Sequence, residues 1–326
     1  MLGLRLDTLE PALNLALEEH LLLNLPAGHP GLFLLWQNSP SVIVGRHQCT
    51  AEEVNSDFIR QEALPVVRRM TGGGAVYHDL GNLNFSFISH APHGTWRPDF
   101  ARYLEPVCRA LRDVGVMAVI SGRNDLEADG RKISGSGQRL WRGRVLHHGT
   151  LLVQADIARM GRALSPDMAK IRSKGVASVR ARVGNLADIW QPGTDMEALR
   201  ACLLRHCATG QTTLRPQDMA CAEALAESKY RQWSWNYGAS PAFDEVRKQR
   251  FPWGSVCLRL AVRQGRITAC RITGDFFAQG EMEELEAMLI GHSREPAGLR
   301  RALASLDWRN WFSGCEPAAM LDFFAQ

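Results

Sequence analysis

Three consecutive glycines follow two arginines in RRMTGGGAVYHDLGNLNFSF, residues 68–87, and the chain then turns apolar and strand-like. Glycine weakens regular structure by roughly 0.5–1 kcal/mol relative to alanine, so a cluster implies that something must approach this backbone closely. The stretch fits neither GxxxxGK[ST] nor GxGxxG, which excludes the two common phosphate-binding fingerprints. What remains is a run of backbone N–H groups beside Arg68 and Arg69, suited to an anion because arginine forks onto carboxylate or phosphate oxygens. A packed hairpin loop would use the same residues, and spacing alone leaves both readings open.

A second constellation is SGRNDLEADGRKISGSGQ, residues 121–138, where Lys132 stands between a DG turn and a glycine- and hydroxyl-rich run. This placement puts Lys132 at the start of a strand at the edge of an open surface. Lysine is a compact point charge with three rotatable donors, able to hold oxygens of two different groups at once. The chain has 38 basic residues, but its only lysines are Lys132, Lys170, Lys174, Lys229 and Lys248. An arginine-biased genome explains the scarcity; it does not explain why three of the five fall between 132 and 174. Two further motifs complete the set. LHHGTLL (146–152) points its histidines to opposite faces of a strand, so they cannot chelate one metal together. SKGVASVRARVGN (173–185) is a basic loop of small residues, of a kind able to close over a bound anion or simply to lie solvated.

These motifs need a scaffold, and the 326 residues are long for one core, which predicts one large and one small domain. LGLRLDT reads as a strand, followed by a helix starting near Pro11 with Leu13, Leu17 and Leu21 toward the core. LFLLW and SVIVG, split by QNSP, read as a strand pair. Helical spacing recurs over 100–115, 157–163 and 196–207, and strands and turns fill 117–153. The turn-rich NYGASP reads as a joint. Beyond it SVCLRLAVRQGRITACRITGDF alternates as a hairpin with one buried face, and EMEELEAMLIG and EPAGLRRALASL are helical. The fold class is therefore α+β.

A formal charge of +4 is too small to specify nucleic acid, though it is compatible with an anionic ligand or acidic partner. The eight cysteines are scattered without a CxxC pair, which points to neither zinc nor a redox motif. No apolar run approaches a membrane span. Acidic residues interrupt the stretch where a secretory signal would be apolar, so a cytoplasmic location is expected.

RRMTGGGAVYHDLGNLNFSF, GRNDLEADGRKISGSG, LHHGTLL and SKGVASVRARV, in this order and with WQNSPSVIVGRHQ ahead of them, resemble the lipoate–protein ligase A family over nearly the whole chain. The resemblance implies a biotin/lipoate-ligase-like catalytic domain over 1–240 and a small α+β accessory domain over 241–326. It also implies ATP-dependent activation of lipoate to lipoyl-AMP and transfer of the lipoyl group to a lysine of an apo lipoyl domain. Acceptors in the family are the acyltransferase subunits of 2-oxoacid dehydrogenases and the glycine-cleavage H protein. By the same resemblance Lys132 contacts the lipoyl carbonyl and the α-phosphate. Arg69, Gly74, Ala75, Val76 and Tyr77 fall on ATP-binding positions, Arg123 and Thr150 on lipoyl-AMP contacts, and Asp125 on a Mg²⁺ contact. The loop from Lys174 to Arg180 would fold over the adenylate and exclude water. Apolar residues near Val76 and LHHGTLL would line a tunnel for the lipoyl chain. A monomer with no nucleic-acid or membrane partner is expected.

Relatives of this fold offer rival readings. A cysteine-type octanoyl or lipoyl transferase needs a thiol at the acyl site, and no cysteine occurs between Cys108 and Cys202; Cys49, after GRHQ, is the exception. The GRGRxGR stretch of biotin ligases is absent. A transferase that uses only preformed lipoyl-AMP, or a non-catalytic effector-binding protein, would have to be separated by assay. Two departures from the family pattern are Gly137, where relatives often carry alanine, and Met70 within the basic run.

Overall fold

The structure is a computed structural model that describes residues 1–91, 98–164, 183–237 and 245–325, without the side chain of Ala51. By packing, the chain divides into two compact units. The first comprises Met1–Val44, Thr50–Met70 and Ala75–Asn236, and the second comprises Gly45–Cys49, Thr71–Gly74 and Tyr237–Gln326. The glycine run thus belongs by its packing to the second unit, although its flanks belong to the first.

The first unit is built on an eight-stranded sheet. Its strands are β1 (Leu2–Arg5), β2 (Leu32–Trp36), β6 (Asn82–His90), β7 (Val119–Ser121), β8 (Asp125–Ala128), β9 (Arg131–Trp141), β10 (Arg144–Leu152) and β11 (Gly210–Gln211). The order across the sheet is β11-β1-β2-β6-β10-β9-β8-β7. β1 is parallel to both β2 and β11, and β2, β6, β10, β9, β8 and β7 pair antiparallel in turn. A small second sheet has the order β4-β3-β5, from β3 (Ser41–Val44), β4 (Val66–Arg68) and β5 (Val76–His78). LFLLW and SVIVG therefore do not pair: the first is β2 of the large sheet and the second is β3 of the small one. Both are wholly buried, and continuous apolar runs of this kind carry no information about which strand lies beside them.

The helix Pro11–Leu23 packs one face of the large sheet. Its buried residues include Leu15, Leu17 and Leu22 but also Asn14, Glu18 and Glu19, whereas Leu13 and Leu21 are only half-buried. The side expected to face the core is thus rotated, because this helix brings two carboxylates inward. Helices form at Ala101–Asp113, Ile157–Ala163 and Met196–Cys207, where the spacing predicts them. Among the described residues no helix is long and apolar enough to cross a membrane.

In the second unit β12 (Glu245–Phe251), β13 (Gly254–Arg263) and β14 (Arg266–Gly274) form an antiparallel sheet. The helices Met282–Leu289, Pro296–Leu303 and Pro317–Ala325 accompany it. Gln264 and Gly265, both at positive φ, make the QG turn of its hairpin. Its core joins Phe251, Val256, Leu258, Phe276, Phe312 and Phe324. The strand β12 lies outside the periodicity read above, since only Phe251 of its seven residues is buried.

Candidate active site

Sheet register assembles the site. Across the large sheet Trp36 pairs with Asn84, Asn84 with Thr150, Thr150 with Gly135, and Gly135 with Asp125. Residues directly opposite one another share a face, so these five form one row. Lys132 is the second residue of β9, and its ammonium Nζ lies 2.8 Å from Asp125 Oδ1. Both groups are about a third exposed, and such a pair adds little to stability; its effect is to hold the ammonium over Gly135. A Cβ at Gly135 would sit 3.1 Å from Lys132 Nζ and 3.6 Å from Asp125 Oδ1, which explains the first glycine of ISGSG. β9 is an interior strand, and Lys132 stands near its start as expected. Its carbonyl accepts a hydrogen bond from Gly184 N at 3.0 Å, and Lys132 bridges to Val183. The end of the SKGVASVRARVGN motif is thereby fastened to the lysine-bearing strand. The Lys174–Arg180 part lies outside the described residues, as do Lys170 and most of the NYGASP joint.

The histidines of LHHGTLL do face opposite ways. His148 Nδ1 lies 3.0 Å from both oxygens of Glu18. Glu18 in turn accepts from Ser86 Oγ at 2.5 Å, and Ser86 Oγ accepts from Trp36 Nε1 at 2.8 Å. This polar chain borders the Asn84–Thr150 row, on the same face. Asn84 is 1% exposed, and among the described residues neither Nδ2 nor Oδ1 of its amide has a hydrogen-bond partner. A buried amide left wholly unsatisfied is costly, and in a row with Thr150, Gly135 and Asp125 it marks a place for a ligand's polar atoms.

The small sheet contributes Arg69 and His78. Arg69 Nη1 donates to Ile43 O at 3.2 Å. Burial lowers its guanidinium to about 10, opposed by the attraction of Glu18. His78 is buried with Nδ1 3.0 Å from Asn38 Nδ2. Burial first, then the charges of Arg69 and His148, lower it to about 3, so it is neutral at physiological pH. The Glu18 carboxylate thus ties the helix, His148 on the large sheet and Arg69 beside the small sheet into one electrostatic group.

Arg68, expected to share an anion with Arg69, has a different task. Its Nε donates to Trp235 O at 2.9 Å, and its Nη2 donates to Thr50 Oγ1 at 2.7 Å and to Asn236 O at 3.0 Å. Its backbone N donates to Asn236 Oδ1, and its carbonyl accepts from Trp235 Nε1, both at 2.8 Å. These side chains complete the backbone bonding of β4, the outer strand of its sheet. Adjacent residues in an extended chain point to opposite sides, and Arg69, the next residue, is the one that lies in the field of Glu18.

The glycines divide similarly. A Cβ at Gly72 would lie 2.2 Å from Phe276 O, so packing within the second unit requires that glycine, and Gly73 has φ +94°. At Gly74 a Cβ would meet nothing within 4 Å. Ala75 and Val76 follow half-buried, and Tyr77 is buried. The Tyr77 phenol has no hydrogen-bond partner among the described residues. Burial raises it to about 12, with Arg159 opposing the shift. By strand alternation its ring lies opposite Val76 and His78. Arg123 is exposed in the turn between β7 and β8. Lys132, Asp125 and Thr150 are thus gathered in and beside one row, Arg69 joins the same face through Glu18, and Arg123 stands outside it.

Asn84, Ser86, Trp36, Glu18 and His78 went unread in the sequence. NLNFSF offered one signal, since alternating Asn, Asn and Ser in an otherwise apolar strand gives a polar stripe on one face.

Residues 10–208 match the lipoyl protein ligase A/B catalytic domain, and 240–324 match the bacterial lipoate protein ligase C-terminus. A lipoate-protein ligase of Bacillus subtilis (strain 168) is 38% identical over 320 residues, 96% of each chain. Lipoate–protein ligase 1 of Staphylococcus aureus is 39% identical over 307 residues, 93% of each. Among solved structures, a P. falciparum protein in complex with lipoate shares the fold, with TM-score 0.79 over 98% of this chain and 97% of that one at 24% identity. A lipoate-protein ligase A bound with ATP has TM-score 0.64 at 27% identity over 73% of this chain and 99% of that one. A bipartite lipoate protein ligase of Thermoplasma acidophilum, described with its E2 lipoyl domain, has TM-score 0.66 at 28% identity over 75% and 98%.

Proposed function

We infer the activity from one premise: this chain belongs to the lipoyl protein ligase A/B family. It is an ATP-dependent lipoate–protein ligase. The observation that carries the residue-level reading is the Lys132–Asp125 pair over Gly135, in a row with the unsatisfied amide of Asn84.

In the first half-reaction a carboxylate oxygen of lipoate bonds to the α-phosphorus of ATP, and the bond to the bridging oxygen of pyrophosphate breaks. Two anions must meet, so placement and charge stabilisation account for most of the acceleration. Lys132, oriented by Asp125, supplies a mobile point charge between carboxylate and α-phosphate. Arg69, partly balanced by Glu18, supplies a second cation. Gly74 leaves room beside the backbone that runs on through Ala75, Val76 and Tyr77, where ATP is held. Thr150 and Arg123 contact the lipoyl-AMP. In the second half-reaction the acceptor lysine nitrogen bonds to the acyl carbon, the bond from that carbon to the AMP oxygen breaks, and the amine's surplus proton leaves to solvent. The acceptors are apo lipoyl domains of 2-oxoacid dehydrogenase acyltransferase subunits and the glycine-cleavage H protein, met by a cytoplasmic monomer. Residues 1–240 form the catalytic domain in this reading and 241–326 the accessory domain.

Magnesium suits the donor chemistry. It binds through one or two carboxylates together with substrate phosphates, and the described residues form no cluster of three or more acidic, histidine or cysteine ligands. Asp125 is the carboxylate that would hold it beside the phosphates, where the ion neutralises phosphate charge.

The test follows lipoylation of an apo lipoyl domain by intact mass, with lipoate and ATP or with lipoyl-AMP alone. Native protein is expected to modify the domain from lipoate and ATP, and Lys132→Ala to be slower by about 100-fold or more. Full activity in Lys132→Ala would sink the assignment of that lysine. Native turnover from lipoyl-AMP but none from lipoate and ATP would identify a transferase without adenylation.

A further inference from the structure

The large sheet ends differently on its two sides. β11 is a two-residue edge of Gly210 and Gln211. β7, at the end near Lys132, is apolar on both faces: Val119 is 61% exposed and Ile120 37%, and Met117 just before them is 67% exposed. Exposed edge strands are usually blunted by charges, proline or a covering element, because their unpaired backbone invites another strand. Among the described residues the sheet order ends at β7.

Register links this edge to the chemistry. Val119 pairs with Glu127 and Glu127 with Lys132, while Ser121 pairs with Asp125. Val119 therefore stands on the Lys132 side of the sheet, two strand spacings or about 10 Å away. A three-residue strand with a few apolar side chains is far below the roughly 1,200–2,000 Å² of a stable protein interface, but it suits a brief enzyme–substrate encounter. That mismatch argues against a second copy of this chain, and the position beside the reacting groups argues for a partner that must reach them.

We propose that β7, with Met117 and Val119, is the docking edge for the protein that bears the acceptor lysine, which adds an extended segment to β7 and covers both side chains. The inference rests on the ligase reading above. It assigns recognition of the acceptor to a place distinct from the groups that make lipoyl-AMP, and main-chain pairing lets one edge serve acceptors of differing sequence.

Val119→Lys and Met117→Lys, at exposed positions, test it in two separate assays. Lipoate-dependent ATP–pyrophosphate exchange is expected to stay within about twofold, while KM for an apo lipoyl domain rises about tenfold or more, the loss of one anchoring contact. Gln211→Lys at the opposite edge should leave both unchanged. An unchanged acceptor KM in both β7 variants overturns the proposal, as does an equal fall of the two half-reactions. Sedimentation showing a native dimer that Val119→Lys dissociates would give the edge to a second copy and likewise overturn it. Native protein without pyrophosphate exchange would instead refute the ligase reading itself.

Discussion

His147 and His148 are neighbours on β10, yet they live in different chemistry. His147 is fully buried, with ring centroids 4.9 Å from Tyr103, 5.7 Å from Phe100 and 6.1 Å from Phe85. It keeps one hydrogen bond, Nδ1 to Gln138 at 2.8 Å. Burial, assisted by His148, holds it well below the ordinary imidazole range, so it packs as a neutral aromatic. His148 instead joins Glu18, Ser86 and Trp36 beside the Asn84–Thr150 row. Gln138 and His147 on the first face each retain a bond, whereas Asn84 on the second retains none among the described residues. Ser134 and Ser136 Oγ on the first face also lack a partner among the described residues, but that face is filled by the rings around His147, whereas the second carries Lys132, Asp125 and Thr150 beside the Asn84 amide. The two arginines of RRMTGGG differ as well: Arg68 bonds Trp235, Asn236 and Thr50, while Arg69 bonds Ile43 O and is attracted by Glu18.

Breaking the Arg68 bonds should cost the most. Arg68→Met leaves the carbonyls of Trp235 and Asn236 without their buried donor, and about 3 kcal/mol of unfolding free energy should be lost in urea titration. Arg69→Met should cost less stability and more ATP-dependent activity. If the two variants behave alike, the division between them is wrong.

Acid tests the buried imidazoles next. His78 and His147 are neutral in the folded protein but bind protons in the unfolded chain below its ordinary value near 6.5. The unfolded state therefore takes up more protons, and stability falls as pH drops below about 6.5 toward the depressed folded values. With two such groups the loss should be about 2 kcal/mol between pH 6 and 5. His147→Phe should roughly halve that slope and leave activity per folded molecule unchanged, since its face does not touch the site. A slope unaffected by the substitution would remove His147 from this account.

The smallest effect sharpens the contrast most directly. Asn84→Ala should lower kcat/KM for lipoyl-AMP formation about tenfold, equivalent to about 1.4 kcal/mol, while Ser136→Ala, facing Phe85 and Gly149 on the other side, should change it less than about twofold. Equal effects in a steady-state adenylation assay would show that the faces are not functionally distinct.

Local patterns were readable because they need only neighbours in the chain. Helical spacing over 100–115, 157–163 and 196–207 located three helices, the QG turn located the β13–β14 hairpin, and the period of two placed the two histidines on opposite faces. Lys132 stood out through the scarcity of lysine. The row from Trp36 to Asp125 was not readable, because it joins five strands whose register is set by burial across the sheet. Arg68 misled for a related reason: its partners, Trp235 and Asn236, lie 167 and 168 positions away.

The amino-acid sequence alone determined the elements, the four motifs and the family they resemble, since propensity, turn chemistry and motif order are properties of the chain itself. Tertiary structure alone decided which arginine bonds the Trp235–Asn236 segment and which lies near Glu18, that Gly72 answers to Phe276 while a Cβ at Gly74 would meet nothing, and that Asn84 pairs with Thr150. Those outcomes depend on which backbones come within hydrogen-bond distance after packing, and the energies that select them are shared by residues far apart in the chain.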